Sequence, residues 1–181
     1  MAETFGAMKL WNRRLALSPA VVSGLDFQRG ERPLAWARCA GEQWCVGTDR
    51  ALHLPSGQRF RKLGWEIVER AEWRRDRSIL AVYELSGWGE PEIVTELEIV
   101  EAGELLQLGR ERVTKSVVMT VFAGVRGRRG LTVVGRRAPF GDGPVLWSYV
   151  LSQGLDPADE LVKQVADRTL REAEVELSWM G

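Results

Sequence analysis

Histidine and cysteine are the residues of this sequence best suited to chemistry, and both are scarce. His53 is the only histidine among 181 residues, which excludes a metal site built on two histidines. A serine or cysteine nucleophile would likewise need His53 as its base. His53 alternates with Leu52 and Leu54, so we expect it on the exposed or partly covered face of a strand. The sequence therefore predicts no catalytic residue, no metal site, no cofactor and no enzyme activity. The alternative, an enzyme, would need a deep pocket with acidic residues converging around His53.

The two cysteines, Cys39 and Cys45, flank a predicted turn. A pair cannot form a framework of several disulfides, and a cytosolic pair stays reduced. Free cysteine usually behaves as a small apolar residue. We therefore predict a buried structural pair rather than a redox or metal site.

A glycine- and arginine-rich run, Gly124–Gly130, superficially resembles a phosphate-binding loop. A Walker loop needs Gly-Lys-Ser/Thr before a helix, and a dinucleotide fingerprint needs a βαβ unit, whereas this run joins two predicted strands. We therefore predict a β-hairpin turn. The alternative is an anion site for nucleic acid or an acidic headgroup, because arginine forms bidentate hydrogen bonds with phosphate. Its candidate residues are Arg126, Arg128, Arg129, Arg136 and Arg137.

Tryptophan is abundant, with eight residues, and most of them fall within alternating strand patterns that predict core packing. Trp88 differs, because it lies in the flexible segment Ser86–Pro91. Two interpretations stay open for it: an exposed anchor for a protein partner, or a loop aromatic folded back on its own domain. Further basic residues could enlarge an anion patch if the fold brings them together, namely Arg59, Arg61, Lys62, Arg74, Arg75 and Arg77.

Composition indicates an ordinary globular chain. Apolar residues make up 45% and charged residues 28%. The 25 basic and 25 acidic side chains cancel, so no global field draws the chain to nucleic acid or to an anionic membrane. No run approaches the roughly 18 to 20 apolar residues of a membrane helix, and Met1–Arg14 lacks the apolar segment of a secretory signal. We expect a cytoplasmic protein.

Periodicity predicts helices and strands in a fixed order. A short helix begins at Ser18-Pro19, with Ser as its cap and Pro at its first position. A second helix spans Glu104–Ser116, and a third is capped by Asp156 with Pro157 at its first position. The apolar stripe of that third helix is predicted as Leu161, Val165, Leu170, Ala173 and Leu177. Ten strands are predicted, near residues 34–40, 43–48, 51–55, 59–64, 67–73, 78–85, 93–100, 117–125, 131–137 and 144–152.

The run Trp44–Leu54 resembles the Thr-Asp/Asn-Arg-x-Leu hairpin of bacterial pleckstrin-homology-like domains through Thr48-Asp49-Arg50-Ala51-Leu52. The segments 63–68 and 78–82 resemble the next strands of that family. The whole chain also resembles a family of uncharacterised actinobacterial proteins through Arg110–Val118, Gly127–Gly130 and Gly154–Pro157. These resemblances imply a fold and a bacterial origin, and they supply no substrate or catalytic residue.

The expected fold class is α+β: a pleckstrin-homology-like core of seven antiparallel strands closed by a helix, then a three-stranded antiparallel extension and a C-terminal helix. Its parts are an N-terminal segment at 1–33, the core at 34–116 and the extension at 117–181, together one compact unit. We expect a noncatalytic binding or scaffold module that engages a protein partner. The alternative is anion recognition through the hairpin at 126–137.

Overall fold

A computed structural model describes residues 17–99 and 102–180 of the chain, with Met180 described by its backbone only. The predictions for residues 1–16 and for the end of the seventh strand lie outside these residues. The helices are α1 (Pro19–Ser23), α2 (Gly103–Ser116) and α3 (Glu160–Met180). The strands are β1 (Pro33–Arg38), β2 (Trp44–Thr48), β3 (Ala51–Ser56), β4 (Arg59–Gly64), β5 (Val68–Arg74), β6 (Ile79–Glu84), β7 (Ile93–Glu98), β8 (Val117–Arg126), β9 (Arg129–Arg136) and β10 (Leu146–Leu151).

The first seven strands form two antiparallel sheets. Strands β1, β2, β3 and β4 make one sheet in chain order, and β5, β6 and β7 make the second. Successive strands pair because short connections join them, as in a series of hairpins. An ion pair from Arg61 on β4 to the buried Glu84 on β6, at 2.8 and 2.9 Å, joins the two sheets.

One apolar core lies between these two sheets and helix α2. Trp65 is 1% exposed at its centre, and its indole N–H donates to the Thr48 carbonyl at 3.0 Å. That bond satisfies the one polar atom of the indole, as burial of tryptophan requires. Gly47 on β2 lets α2 approach closely, because a Cβ at this position would lie 2.7 Å from Leu108 Cδ2. Helix α2 can therefore pack this close to β2 because Gly47 has no side chain.

The third sheet has the order β10-β9-β8 and is covered on one face by α3. The register places Val121, Val133 and Tyr149 in one row across the sheet. The core beneath α3 contains Leu131 and Val133 from the sheet. Val162, Val165 and Ala166 close it from the helix.

Helix α3 begins later than the sequence predicts. Asp159, rather than Asp156, caps it, because its Oδ1 accepts a hydrogen bond from Leu161 N at 2.9 Å. Asp156 instead accepts from Ala158 N at 2.8 Å within the preceding turn, which contains Pro157. The predicted stripe was wrong at Leu161, which is 43% exposed, whereas Val162 is fully buried.

The predicted α+β class with antiparallel sheets and the order of its helices and strands are confirmed. The seven strands do not form one closed sheet; they lie in open sheets of four and three strands. The turn predicted between Cys39 and Cys45 is a 3₁₀ turn over Ala40–Glu42. No helix among residues 17–99 and 102–180 combines the length and the hydropathy needed to cross a membrane.

The phase of α3 gives a direct test by substitution. Val162→Ala removes buried apolar volume facing the third sheet, and we expect it to lower the free energy of unfolding by about 2 kcal/mol. Leu161→Ala, one residue away on the exposed side, should change it by less than about 0.5 kcal/mol. Urea denaturation followed by circular dichroism measures both. Equal losses, or a larger loss for Leu161→Ala, would contradict this helix phase.

Candidate functional site

The motif Thr48-Asp49-Arg50 binds the segment Gln28–Arg32, which precedes β1 and is called the connector below. Asp49 Oδ1 accepts from Arg32 N at 2.9 Å, and Asp49 N donates to the Arg32 carbonyl at 3.1 Å. The Arg50 guanidinium donates to Gln28 Oε1 at 3.0 Å and to the Arg29 carbonyl at 3.2 Å. The motif that carries the family resemblance therefore fixes the segment Gln28–Arg32 against the first sheet.

A buried carboxylate lies at the centre of this attachment. Glu31 Oε1 accepts from the Thr48 hydroxyl at 2.6 Å and is 3.2 Å from His53 Nε2. Glu31 Oε2 accepts from Lys62 Nζ at 2.6 Å and from Gln28 N at 2.8 Å. Both oxygens are thus satisfied, as a buried charge requires. The Thr48 oxygen in turn accepts from the backbone N–H groups of the next two residues, Arg50 and Ala51.

The protonation states of this network follow from its contacts. Burial alone would raise the pKa of Glu31, but the hydrogen bonds from Lys62, Thr48, Gln28 N and His53 outweigh it and lower the pKa to about 2. Burial lowers the pKa of His53, although Glu31 opposes this shift. A neutral His53 beside an ionised carboxylate carries its proton on Nε2.

His53 was predicted to be exposed or partly covered, and this was wrong. Its side chain is fully buried, with Glu31 on one side and the Phe27 ring edge-on at 5.7 Å on another. Its Nδ1 atom has no hydrogen-bond partner among the described residues. The enclosed pair of His53 and Glu31 holds the connector to the sheet. Strand alternation could not reveal this cover, which comes from a segment 22 residues earlier.

A cavity of about 220 Å³ lies next to this network. The connector, β3, β4 and the segment after β9 all contribute to its wall. Lys62 belongs to both features, since it binds Glu31 and also lines the cavity. Its lining residues are Gln28, Arg50, Ala51, Lys62, Gly64, Glu66, Ala138, Pro139 and Phe140. No local sequence signal marks this site, because its residues come from four separate segments.

The five arginines predicted as an anion site are not equivalent. Arg126 forms an ion pair with Asp159 at 2.7 Å, so its charge is neutralised at the start of α3. Arg128 and Arg129 are exposed at the turn between β8 and β9, as the hairpin prediction requires. Arg137 is half-buried.

Arg136 differs from its prediction as a strand-end anion contact. It is 7% exposed and donates to Ser116 Oγ at 3.0 Å, to the Val113 carbonyl at 3.1 Å and to the Glu69 carbonyl at 3.2 Å. Burial lowers its pKa from the usual arginine value. These bonds join β9 to the end of α2 and to β5, because the strand directs the guanidinium into the molecule.

Three of the other basic residues are engaged within the fold, whereas Arg59 and Arg75 are exposed and Arg77 lies 3.7 Å from its neighbour Asp76. Arg61 is bound to Glu84, Lys62 to Glu31, and Arg74 to Glu96 and the Tyr83 hydroxyl. Each of these cations has an acidic partner on a neighbouring strand or segment, which cancels its charge locally.

Trp88 is half-buried and packs on the third sheet and on the turn before α3. Its ring meets Tyr149 edge-on at 4.9 Å, and its indole N–H donates to the Pro157 carbonyl at 3.0 Å. This is the second of the two interpretations above, a loop aromatic folded back on the chain. The contact ties the β6–β7 connection to the turn before α3.

Cys39 and Cys45 are free and buried, as predicted. Burial raises the pKa of Cys39 to about 11 and that of Cys45 well above its usual value, so both remain protonated thiols. Among the described residues, no group of three or more His, Cys, Asp or Glu side chains is arranged to hold a metal ion.

No family model, curated protein or solved structure matched this chain. The resemblance to bacterial pleckstrin-homology-like domains and to an actinobacterial family therefore stays a prediction.

The buried carboxylate predicts a pH-dependent stability. The pKa of Glu31 is lower in the folded chain than in the unfolded chain, so its contribution is complete above about pH 4.5 and is lost as the pH falls towards 2. Glu31→Gln should lower the free energy of unfolding at pH 7 by about 3 kcal/mol, because the hydrogen bonds that lower the pKa of Glu31 are lost and Lys62 loses its ionised partner.

Urea denaturation between pH 7 and pH 2.5 tests this, with Glu42→Gln as the control, since Glu42 pairs only with the exposed Arg38. The Glu31→Gln chain should lose less stability than the parent between pH 4.5 and 2.5. An unchanged pH profile in Glu31→Gln would show that another group causes the dependence.

Proposed function

We propose that this chain is a noncatalytic cytoplasmic binding module of pleckstrin-homology-like architecture that engages a protein partner. The division into sheets of four and three strands, followed by α2 packed against β1, β2 and β5, supports this architecture. Two free, buried thiols suit a reducing compartment and so support the cytoplasmic assignment.

The observation on which the proposal rests is the face of the third sheet opposite α3. The register aligns Phe122, Thr132 and Val150 in one row across all three strands. Phe122 is 63% exposed and Val150 is 48% exposed, so an apolar side chain at each end of this row is open to solvent. Exposed aromatic and apolar side chains on one sheet face are typical of a protein interface.

Exposed charge at the end of the third sheet indicates the chemistry of the partner. Arg128 and Arg129 are exposed at the turn that ends β8 and begins β9, and the Arg129 guanidinium lies next to Gly154 in the turn before α3. Neither side chain forms a hydrogen bond or ion pair with another residue of the described chain. A protein surface with an apolar centre and carboxylates at its rim would complement both features.

Paired substitutions on this face test the proposal. Phe122→Asp with Val150→Asp should weaken binding of a stoichiometric partner by about 30-fold or more, as expected for loss of an interface anchor. Val175→Asp is the control, because Val175 is 57% exposed on α3 and lies away from the face. Capture from the native lysate followed by titration with the purified partner measures both.

Equal loss in the control would contradict an interface at this face. A dimer of this chain that dissociates on Phe122→Asp would replace the proposed partner by a second copy, and sedimentation of the purified protein detects it.

Anion recognition is a second candidate function, favoured by the unpaired side chains of Arg128 and Arg129 at the hairpin tip. Since Arg126 and Arg136 are engaged within the fold and Arg137 lies at the opposite end of β9, the anion site is reduced to the tip. Arg128→Ala with Arg129→Ala should abolish salt-dependent binding of a single-stranded oligonucleotide. Binding that persists unchanged, measured by fluorescence anisotropy at two salt concentrations, would remove this assignment.

A further inference from the structure

The cavity of about 220 Å³ beside the buried Glu31 network is a candidate binding site distinct from the face of the third sheet. Its volume lies below the ~300 to 1,000 Å³ of typical sites for larger ligands and corresponds to about seven water molecules. Its wall combines two elements of the first sheet with the segment Ala138–Phe140 that follows β9.

Arg50 supplies an uncompensated positive charge to this wall. Its two terminal nitrogens bind neutral acceptors, Gln28 Oε1 and the Arg29 carbonyl, and its guanidinium lies 5.6 Å from the Phe140 ring centre. No carboxylate of the described residues pairs with it. Its Nε atom is buried without a hydrogen-bond partner. These contacts hold the guanidinium in place without cancelling its charge.

Glu66 supplies an uncompensated negative charge. No hydrogen bond or ion pair joins its carboxylate to another described residue, and its Oε2 atom is buried without a partner. The carboxylate lies against Gly64, where a Cβ would overlap it. Gly64 thus makes room for a carboxylate that the protein itself does not satisfy.

Arg50 and Glu66 line one cavity and form no ion pair with each other. A pair of opposite charges, each lacking a partner, complements a ligand that carries both an anionic and a cationic group. We propose that this cavity binds a small zwitterion of the α-amino-acid type. Its carboxylate meets Arg50 and its ammonium group meets Glu66.

The remaining lining residues favour this ligand over a simple ion. Lys62 is already neutralised by Glu31, so it adds no net positive charge. A bare anion would be repelled by Glu66, and a bare cation by Arg50. Phe140 is 50% exposed and offers an apolar surface for a ligand side chain, next to the amide of Gln28.

The test uses the full chain and the twenty protein amino acids, each at about 10 mM, with unfolding temperature as the first measurement. At least one of these amino acids should raise the unfolding temperature. The N-acetyl derivative of that amino acid lacks the ammonium group, and its methyl ester lacks the carboxylate. Each should bind at least about tenfold more weakly by calorimetry, because one charge-assisted contact is lost.

Two substitutions assign the contacts. Glu66→Gln should weaken binding of the parent amino acid at least about tenfold while leaving its N-acetyl derivative unaffected, because that derivative has no ammonium group. Glu98→Gln makes the same change at an exposed position on β7 and should have no effect. Arg50→Lys should weaken binding of the amino acid and leave binding of its methyl ester unaffected. Arg59→Lys on β4 is the matching control.

A cavity that holds only water would show no stabilisation by any of the twenty, and this result would overturn the proposal. Derivatives that bind as tightly as the free amino acid would also overturn it. The comparison of derivatives uses the unaltered chain, so it decides the question even if Arg50→Lys fails to fold. Failure here leaves partner binding at Phe122 unaffected, since the two sites share no residue.

Discussion

A buried carboxylate must be surrounded by hydrogen-bond donors, and Glu31 imposes this constraint on the first half of the molecule. Its four donors come from the connector, β2, β3 and β4. Because the side chain is fully enclosed, each donor must stay in place for the charge to be tolerated. The carboxylate thereby fixes the position of the connector against the first sheet.

The same network encloses residue types that have catalytic potential. His53 has a carboxylate partner, as a general base would, but the Phe27 ring and the connector enclose it. The Thr48 hydroxyl donates to the same Glu31 oxygen that lies beside His53, so it is held by the carboxylate rather than activated as a nucleophile. Residue type alone therefore says little about chemistry when access is closed.

The halves of the chain are joined by specific polar contacts. Arg136 links β9 to α2 and β5 through three acceptors, and Trp88 links the β6–β7 connection to the turn before α3. Phe140 contacts Arg50 and completes the cavity wall. The cavity thus lies where the segment after β9 meets the first sheet, and its shape depends on both. The apolar row at Phe122 lies on the opposite face of the third sheet from α3 and is independent of that junction.

Local pattern was sufficient for much of the fold. The alternation of apolar residues and the turn residues determined the order of strands and helices, and Ser18-Pro19 determined the start of α1. These signals act over a few residues, so the sequence contains them directly. The start of α3 was missed because Asp156 and Asp159 both suit a cap, and the capping hydrogen bond to the first turn of the helix comes from Asp159.

The candidate site depended on contacts between distant segments. Glu31 reads as one charge in a polar connector, and Glu66 and Arg50 read as ordinary surface charges, until the fold places them around one cavity. The sequence by itself determined the α+β class, the scarcity of histidine and cysteine, and the exposed arginine turn, because these depend on composition and short-range periodicity. Only the tertiary structure decided that His53 is enclosed, that Arg136 is internal and that Arg50 and Glu66 share a cavity. Burial and charge pairing are set by neighbours far apart in the chain.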